Sequence, residues 1–544
     1  MIKGLKVSLI GFLGCSLLLS ACGGINGGPD GGDLGGAADT KQVLDITAAA
    51  EPSSLDPSKA VDTVAFDVLN NVNEGLFRLD RDNRPEEAIA SRMEISADKK
   101  VYTFVLRDAK WSDGKPVTAK DFEYSWKRTL NPKTASEYSY ILYVIKNAKD
   151  YNLGKKSEKE VGIKAIDDKT LRVELEEPSP FFQGLTAFPV FFPQRKDVVE
   201  KFGNQYATEP DRMVTNGPYT LSKWQHEQQM TLKKSKTYWD RSGVKLTTAN
   251  MYIIKDTATG VNLYNTGKTD MTQLDSALSD AFKKSPEFTP YTGAISQYVV
   301  FNTDKKFFSN TKIRKAISYA IDRDTLAKLL KDGSKPATAF VPPTITGTDN
   351  ESFRKHASQG QLYNPTEAKR LLKEGMKEEG IISKPKLSLL SYDDYRKQAA
   401  IFIQDQLKTL LGIDIVVNPQ PMKQKTDKES KGEFELSLAG WGADYNDPMT
   451  FLDTMLSDTS FNYGDWKNKE YDSLIEKSQI NPNFKERVED MTKAEEIMLE
   501  DAAIAPVLYG GKIYLQKQYV KDVIRHPVGA ELSLKWAYLD GKSK

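Results

Sequence analysis

Cysteine is almost absent from this chain of 544 residues, and both examples, Cys15 and Cys22, fall in its N-terminal segment. Cys15 lies in what reads as a cleaved leader, so one thiol remains afterwards. That excludes disulfides, thiolate catalysis and zinc–cysteine sites from the mature chain. Histidine is nearly as scarce. His226, His356 and His526 are far apart, and none has a His or acidic residue at i+4 that would suggest a helical metal site. Charge of one sign is missing too: 76 Lys and Arg against 75 Asp and Glu leave a formal charge of +1. With no basic run and no aromatic–basic interleaving, nucleic acid is excluded as a partner. No apolar stretch beyond the N-terminal segment is long enough for a transmembrane helix, so a transport role would need partner subunits in the membrane.

Catalytic motifs are lacking as well. Gly267, Lys268 and Thr269 resemble the end of a phosphate-binding loop, but Asn262 stands where its leading glycine belongs, which leaves a surface turn. Ser-x-x-Lys pairs such as Ser96/Lys99 and Ser383/Lys386 occur as chance predicts in a chain rich in both residues, without the companion motifs of penicillin-binding enzymes.

What is present begins at the N-terminus. Lys3 and Lys6 precede an apolar run, Val7 to Leu19, too short to span a bilayer. The sequence Leu19-Ser20-Ala21-Cys22 resembles a bacterial lipobox, whose cysteine is joined to diacylglycerol after the leader is cut before it. Residues 1–21 would then be a signal peptide and 22–40 a lipidated cysteine followed by a glycine-rich tether, whose composition cannot bury apolar surface. The expected location is the extracytoplasmic face of the cell membrane, lipid-anchored on a Gram-positive cell surface, with the mature domain monomeric.

The rest of the chain alternates strands and helices. Val43 to Thr47 and Val101 to Arg107 carry strand signals, the second with period-two alternation. Thr118 caps a helix bearing Phe122, Trp126 and Leu130, with Asp121 in the capping-box position. Ile313, Ala316, Ile317, Ala320 and Ile321 mark another amphipathic helix. Leu387–Ser391, Tyr395–Leu411 and Ile413–Val417 form a βαβ unit. A helix over Lys485–Leu499 leads into a strand over Val507–Leu515. The fold class is α/β, and the length calls for two or three lobes.

An ordered set of segments then carries a resemblance. Glu51-Pro52-Ser53-Ser54-Leu55-Asp56-Pro57, Glu74-Gly75-Leu76, Trp111 to Phe122, Thr215-Asn216-Gly217-Pro218-Tyr219, Ile313 to Ala316 and Gly440 to Pro448 resemble the oligopeptide-binding proteins that feed peptide ABC importers, in that family's order and over essentially the whole mature chain. The resemblance implies a bilobal periplasmic-binding-protein type II fold with an extra inserted domain, the three-domain cluster C type. Lobe I would combine 41–73, 195–299 and 507–544, the inserted domain 74–194, and lobe III 300–506. It also implies a binding subunit with no reaction and no cofactor, whose partners are a peptide, ABC permease and ATPase subunits, and the membrane through Cys22. The same fold serves dipeptide, murein-peptide and nickel receptors, and a surface peptidase or chaperone is the reading from another class.

By the same resemblance, the ligand would lie as an added strand between Val61-Asp62-Thr63-Val64 and Ala439-Gly440-Trp441-Gly442, with Ala443 following. Ala439, Gly440 and Gly442 leave room for close backbone approach, and Trp441 can wall a pocket; read alone, Phe434 to Leu438 is also a core strand whose glycines turn the chain. Asp444 matches the aspartate that pairs with the peptide's α-ammonium in a charge-assisted hydrogen bond, while its residue type beside Asn446 and Pro448 equally suits a turn cap. Leu438 stands where enterobacterial members place an arginine for a peptide carboxylate. Arg396 matches a family histidine and can replace part of that charge, or can be a solvated residue in the first turn of its helix.

Overall fold

The computed structural model describes residues 41–542 apart from 349, 350, 359, 361, 394 and 395. The expected leader, the lipidated Cys22 and the tether to residue 40 lie outside the described residues. Strand β1 (Val43–Ala48) turns Leu44, Ile46 and Ala48 inward in strict alternation. Helix α1 (Thr63–Val72) follows, its N-terminus capped by the Asp62 carboxylate, which accepts from the Ala65 N–H at 2.9 Å.

A separate antiparallel sheet is built from β2 (Ala90–Ile95), β3 (Val101–Leu106), β4 (Ile163–Ala165) and β5 (Thr170–Glu174), in the order β2-β3-β5-β4. Helix α2 (Ala119–Leu130) packs on it with Phe122, Trp126 and Leu130 fully buried. The capping box holds as the sequence predicts: the Asp121 carboxylate accepts from the Thr118 N–H at 2.8 Å. It also accepts the indole N–H of Trp111 at 3.2 Å, so that motif is a structural joint. Gly75 and Gly217 are joints of another kind. A Cβ at Gly75 would stand 2.4 Å from the Thr186 carbonyl oxygen, and one at Gly217 2.6 Å from the Asn73 nitrogen.

The main sheet takes β6 (Tyr219–Gln225), β7 (Gln229–Lys234), β8 (Thr248–Ile253), β9 (Met271–Leu274) and the long β10 (Phe288–Phe301). After helix α3 (Thr311–Tyr319) come β11 (Leu387–Tyr392), α4 (Lys397–Leu411), β12 (Ile415–Gln420) and β13 (Leu436–Gly442), then α5 (Phe484–Glu500) and the long β14 (Ile504–Gln516). The strand order is β12-β11-β13-β10-β14-β9-β1-β8-β7-β6. β11 and β12 are parallel, the pairing that a βαβ unit requires. The last strand of that unit starts at Ile415 rather than Ile413, because Gly412 ends α4 in the left-handed region at φ 61° and the Ile413 N–H still bonds back to Leu407.

One hydrophobic cluster joins the β2–β5 layer to the β1 side of the main sheet, and a second fills the space between α3, α4 and β11–β13. Among the described residues no helix is long and apolar enough to cross a membrane, and no group of three or more His, Cys, Asp and Glu is placed to hold a metal ion.

Candidate binding site

The site is built around the end of β13. On one edge β13 pairs with β10 along its whole length, from Leu436 opposite Phe301 to Gly442 opposite Ile295. On the other edge β11 reaches only Leu436 and Ser437. The Asn302 N–H donates to the Glu435 carbonyl at 3.1 Å and the Ala443 N–H to the Ala294 carbonyl at 2.9 Å. Odd-numbered residues therefore face β10, and Gly440 and Gly442 turn their N–H and C=O groups to the open edge. Neither glycine is required by packing. A Cβ would meet its nearest neighbour at 3.6 Å at Gly440 and 3.7 Å at Gly442, ordinary contact distances.

Directly after this edge the chain turns Asp444 inward, between two cavities of about 280 and 490 Å³ that it lines in common with Tyr445 and Phe181. The residue keeps some surface toward the cavities, while its carboxyl is surrounded by protein. Burial pushes that carboxyl up to about 7, although the Tyr140 hydroxyl donates to it at 3.1 Å and works in the opposite direction. The Tyr140 hydroxyl is itself pushed well above its ordinary value by burial and then by the Asp444 charge. Among the described residues no hydrogen bond or ion pair brings a cation to Asp444. A carboxyl so placed is costly to ionise unless a positive group stands beside it.

The larger cavity is walled by Trp441, Phe461, Tyr140 and Tyr143, and Asp453 shares it with Asp444. Trp441 and Phe461 meet edge to face at 5.0 Å, and the Trp441 indole N–H is buried without an acceptor. Burial, then the neighbouring Asp444 charge, pushes the Asp453 carboxyl up to about 8. The smaller cavity runs the other way, past Asn446, Phe188, His526 and Gly529.

The structure thus brings Trp441 and Asp444 into one cavity and leaves Gly440 and Gly442 on its approach, while Ala439 and Ala443 pack inward beside them. The other six expected residues are placed differently. Leu438 is fully buried in the core with Val299, Leu389 and Val507, so its side chain does not reach a cavity, a correction to the expectation that it meets the ligand. Asp62 caps α1, and Val61 is exposed. Thr63 and Val64 lie in the first turn of α1, where they line a different cavity of about 160 Å³ with Asp67 and Lys512, while Asp62 before them is extended. Arg396 lies over the Tyr392 ring at 3.2 Å, outside the cavities around Asp444. Sequence reasoning missed Tyr140, Phe461 and Asp453. The run Tyr138, Tyr140, Tyr143 was the available signal, an aromatic cluster outside any amphipathic period.

The model of the bacterial extracellular solute-binding proteins, family 5 Middle, matches residues 84–463. The chain belongs to that family. Its relatives include the dipeptide-binding protein DppE of Bacillus subtilis, 36% identical over 531 residues that span 96% of this chain and 97% of DppE. The oligopeptide-binding protein OppA of the same organism is 36% identical over 540 residues, 96% of this chain and 97% of that one. Among solved structures, Listeria monocytogenes OppA bound to peptide superposes with a TM-score of 0.78 at 39% identity, covering 92% of this chain and 99% of that one. The family fold is the bilobal type II binding-protein fold with an extra domain, and its members bind solutes rather than transform them.

Proposed function

We propose that this chain captures peptides for an ABC importer, holding the ligand as a strand on the open edge of β13 with its α-ammonium on Asp444. The observation that carries this reading is a buried carboxylate with no cation of its own, set at the end of an unpaired strand edge. A peptide supplies both missing parts: main-chain groups for Gly440 and Gly442, and an ammonium at a fixed distance from them. The names of the Bacillus relatives and the peptide bound to Listeria OppA support it.

In this reading, 41–73, 195–299 and 507–544 form lobe I, 74–194 the inserted domain and 300–506 lobe III. The long strands β10 and β14 carry the crossing between lobes, where few residues absorb the change on closure. Peptide favours closure through its higher affinity for the closed form, and permease subunits receive it. Cys22 carries the lipid that keeps the protein at the outer face of the membrane. Cys22→Ser is expected to release the mature domain from the membrane fraction or to leave the leader uncleaved; unchanged maturation and attachment would remove the lipid anchor from this account.

Calorimetry with a neutral peptide and its N-acetylated form tests the site. Asp444→Asn is expected to weaken the free peptide by roughly 2–5 kcal/mol and to leave the already weak acetylated peptide nearly unchanged. Equal losses for both forms would assign Asp444 a structural role.

A further inference from the structure

We infer that the larger cavity beside Asp444 selects peptides whose first residue carries a basic side chain, and that Asp453 is the residue that reads it. This rests on the peptide reading above and names the ligand class within it.

Three aspartates follow β13, Asp447 buried and Asp444 and Asp453 half-buried, and the protein neutralises one. Asp447 receives both guanidinium nitrogens of Arg487, at 2.6 and 2.7 Å, with both side chains buried. Asp444 and Asp453 face the same cavity of about 490 Å³ without a partner of that kind. Of the described residues lining it, Lys149 is the one cation, and it is exposed at the rim with Glu176 and Glu177. One peptide ammonium answers one carboxylate. The second calls for another positive group within a side chain's length of the first, and the side chain attached to the carbon bearing the ammonium is the nearest candidate.

The walls suit the same group. Trp441, Phe461, Tyr140 and Tyr143 line the cavity with aromatic surface, on which the aliphatic stem of a lysine or arginine can pack and with which its charged head can interact. The volume exceeds what a short apolar side chain would fill. Leaving either carboxylate enclosed and unanswered costs affinity for ligands lacking a second charge, so the same arrangement discriminates against them. An acidic first residue would add a further carboxylate to a cavity already lined by Asp444, Asp453, Glu176 and Glu177.

The test is a series of tetrapeptides, X-Ala-Ala-Ala, with X as lysine, norleucine, alanine or glutamate, titrated into the full mature chain and into Asp453→Asn. Norleucine matches the lysine stem without its charge. On the wild type, the lysine peptide is expected to bind at least about tenfold tighter than the norleucine peptide, and the glutamate peptide weakest. Asp453→Asn is expected to bring lysine and norleucine within about threefold of each other, by weakening the lysine peptide and strengthening the norleucine and alanine peptides. Equal affinity for lysine and norleucine on the wild type overturns the inference without any variant, as does a lysine preference that survives Asp453→Asn. If alanine-first peptide binds and no lysine preference exists, the inference alone falls; if no peptide of the series binds, the peptide reading falls with it.

Discussion

Asp447 and Asp453 are both aspartates packed behind the binding edge, and a single guanidinium makes them opposites. With Arg487 across from it, Asp447 is a structural anchor joining the turn to α5; without one, Asp453 is a group held ready. Nothing in residue type or spacing separates the two, because the partner comes from a helix distant in sequence. Asp444 was legible only through the ordered motifs around it, and the residues alone left a turn cap open. Leu438 shows the limit of matching positions: its side chain enters the core between β13 and α4, where a guanidinium would have no anion to meet. Leu438→Arg is therefore expected to destabilise the fold by about 3–5 kcal/mol rather than to create a carboxylate site. Chemical denaturation checks it, and a variant of wild-type stability with improved binding of one peptide length would restore the position to the ligand site.

At the scale of elements, local signals were read well where the physics is local. The Thr118–Asp121 box, the βαβ unit and the strand alternation of β3 depend on neighbours within a few residues, and all three are present. The open edge of β13 depends instead on where β11 stops, which no pattern within β13 records. That edge makes a direct prediction. The Gly440 N–H faces away from β10, so Gly440→Pro removes a donor from the ligand's side while sparing the β10–β13 ladder, as an edge position allows. Peptide affinity is expected to drop by about 1–3 kcal/mol, the cost of leaving a ligand carbonyl without its partner, while the melting temperature shifts little. A large loss of stability with unchanged affinity per folded molecule would mean that this N–H serves the fold.

Across the whole molecule, the unneutralised carboxylates set how the empty protein responds to pH. Asp444, Asp453 and Asp67 are raised by burial to about 7, 8 and 7, so the folded state holds protons there that the unfolded chain releases near the ordinary carboxylate value. Their favourable contribution is complete below that value and is lost as pH rises through 7 to 8. His526 runs the other way: burial, then the Arg78 charge, lowers it to about 4, so its contribution is present above the ordinary histidine value and fades as pH falls toward 4. The charged groups facing Asp453 are Asp444, Asp447 and Arg487, the last two hydrogen-bonded to each other. Asp453→Asn should therefore match the wild type in thermal stability at pH 4 and exceed it at pH 8, by about 1–3 kcal/mol, when no ligand is bound. Binding reverses the logic, because a cation in the cavity favours the ionised carboxyls, so the stabilisation that a peptide gives the wild type should grow between pH 6 and 8. Thermal melts at fixed peptide excess across that range decide it: a stabilisation independent of pH, in wild type and variant alike, would mean that the carboxyls around Asp444 do not meet the ligand's positive charge.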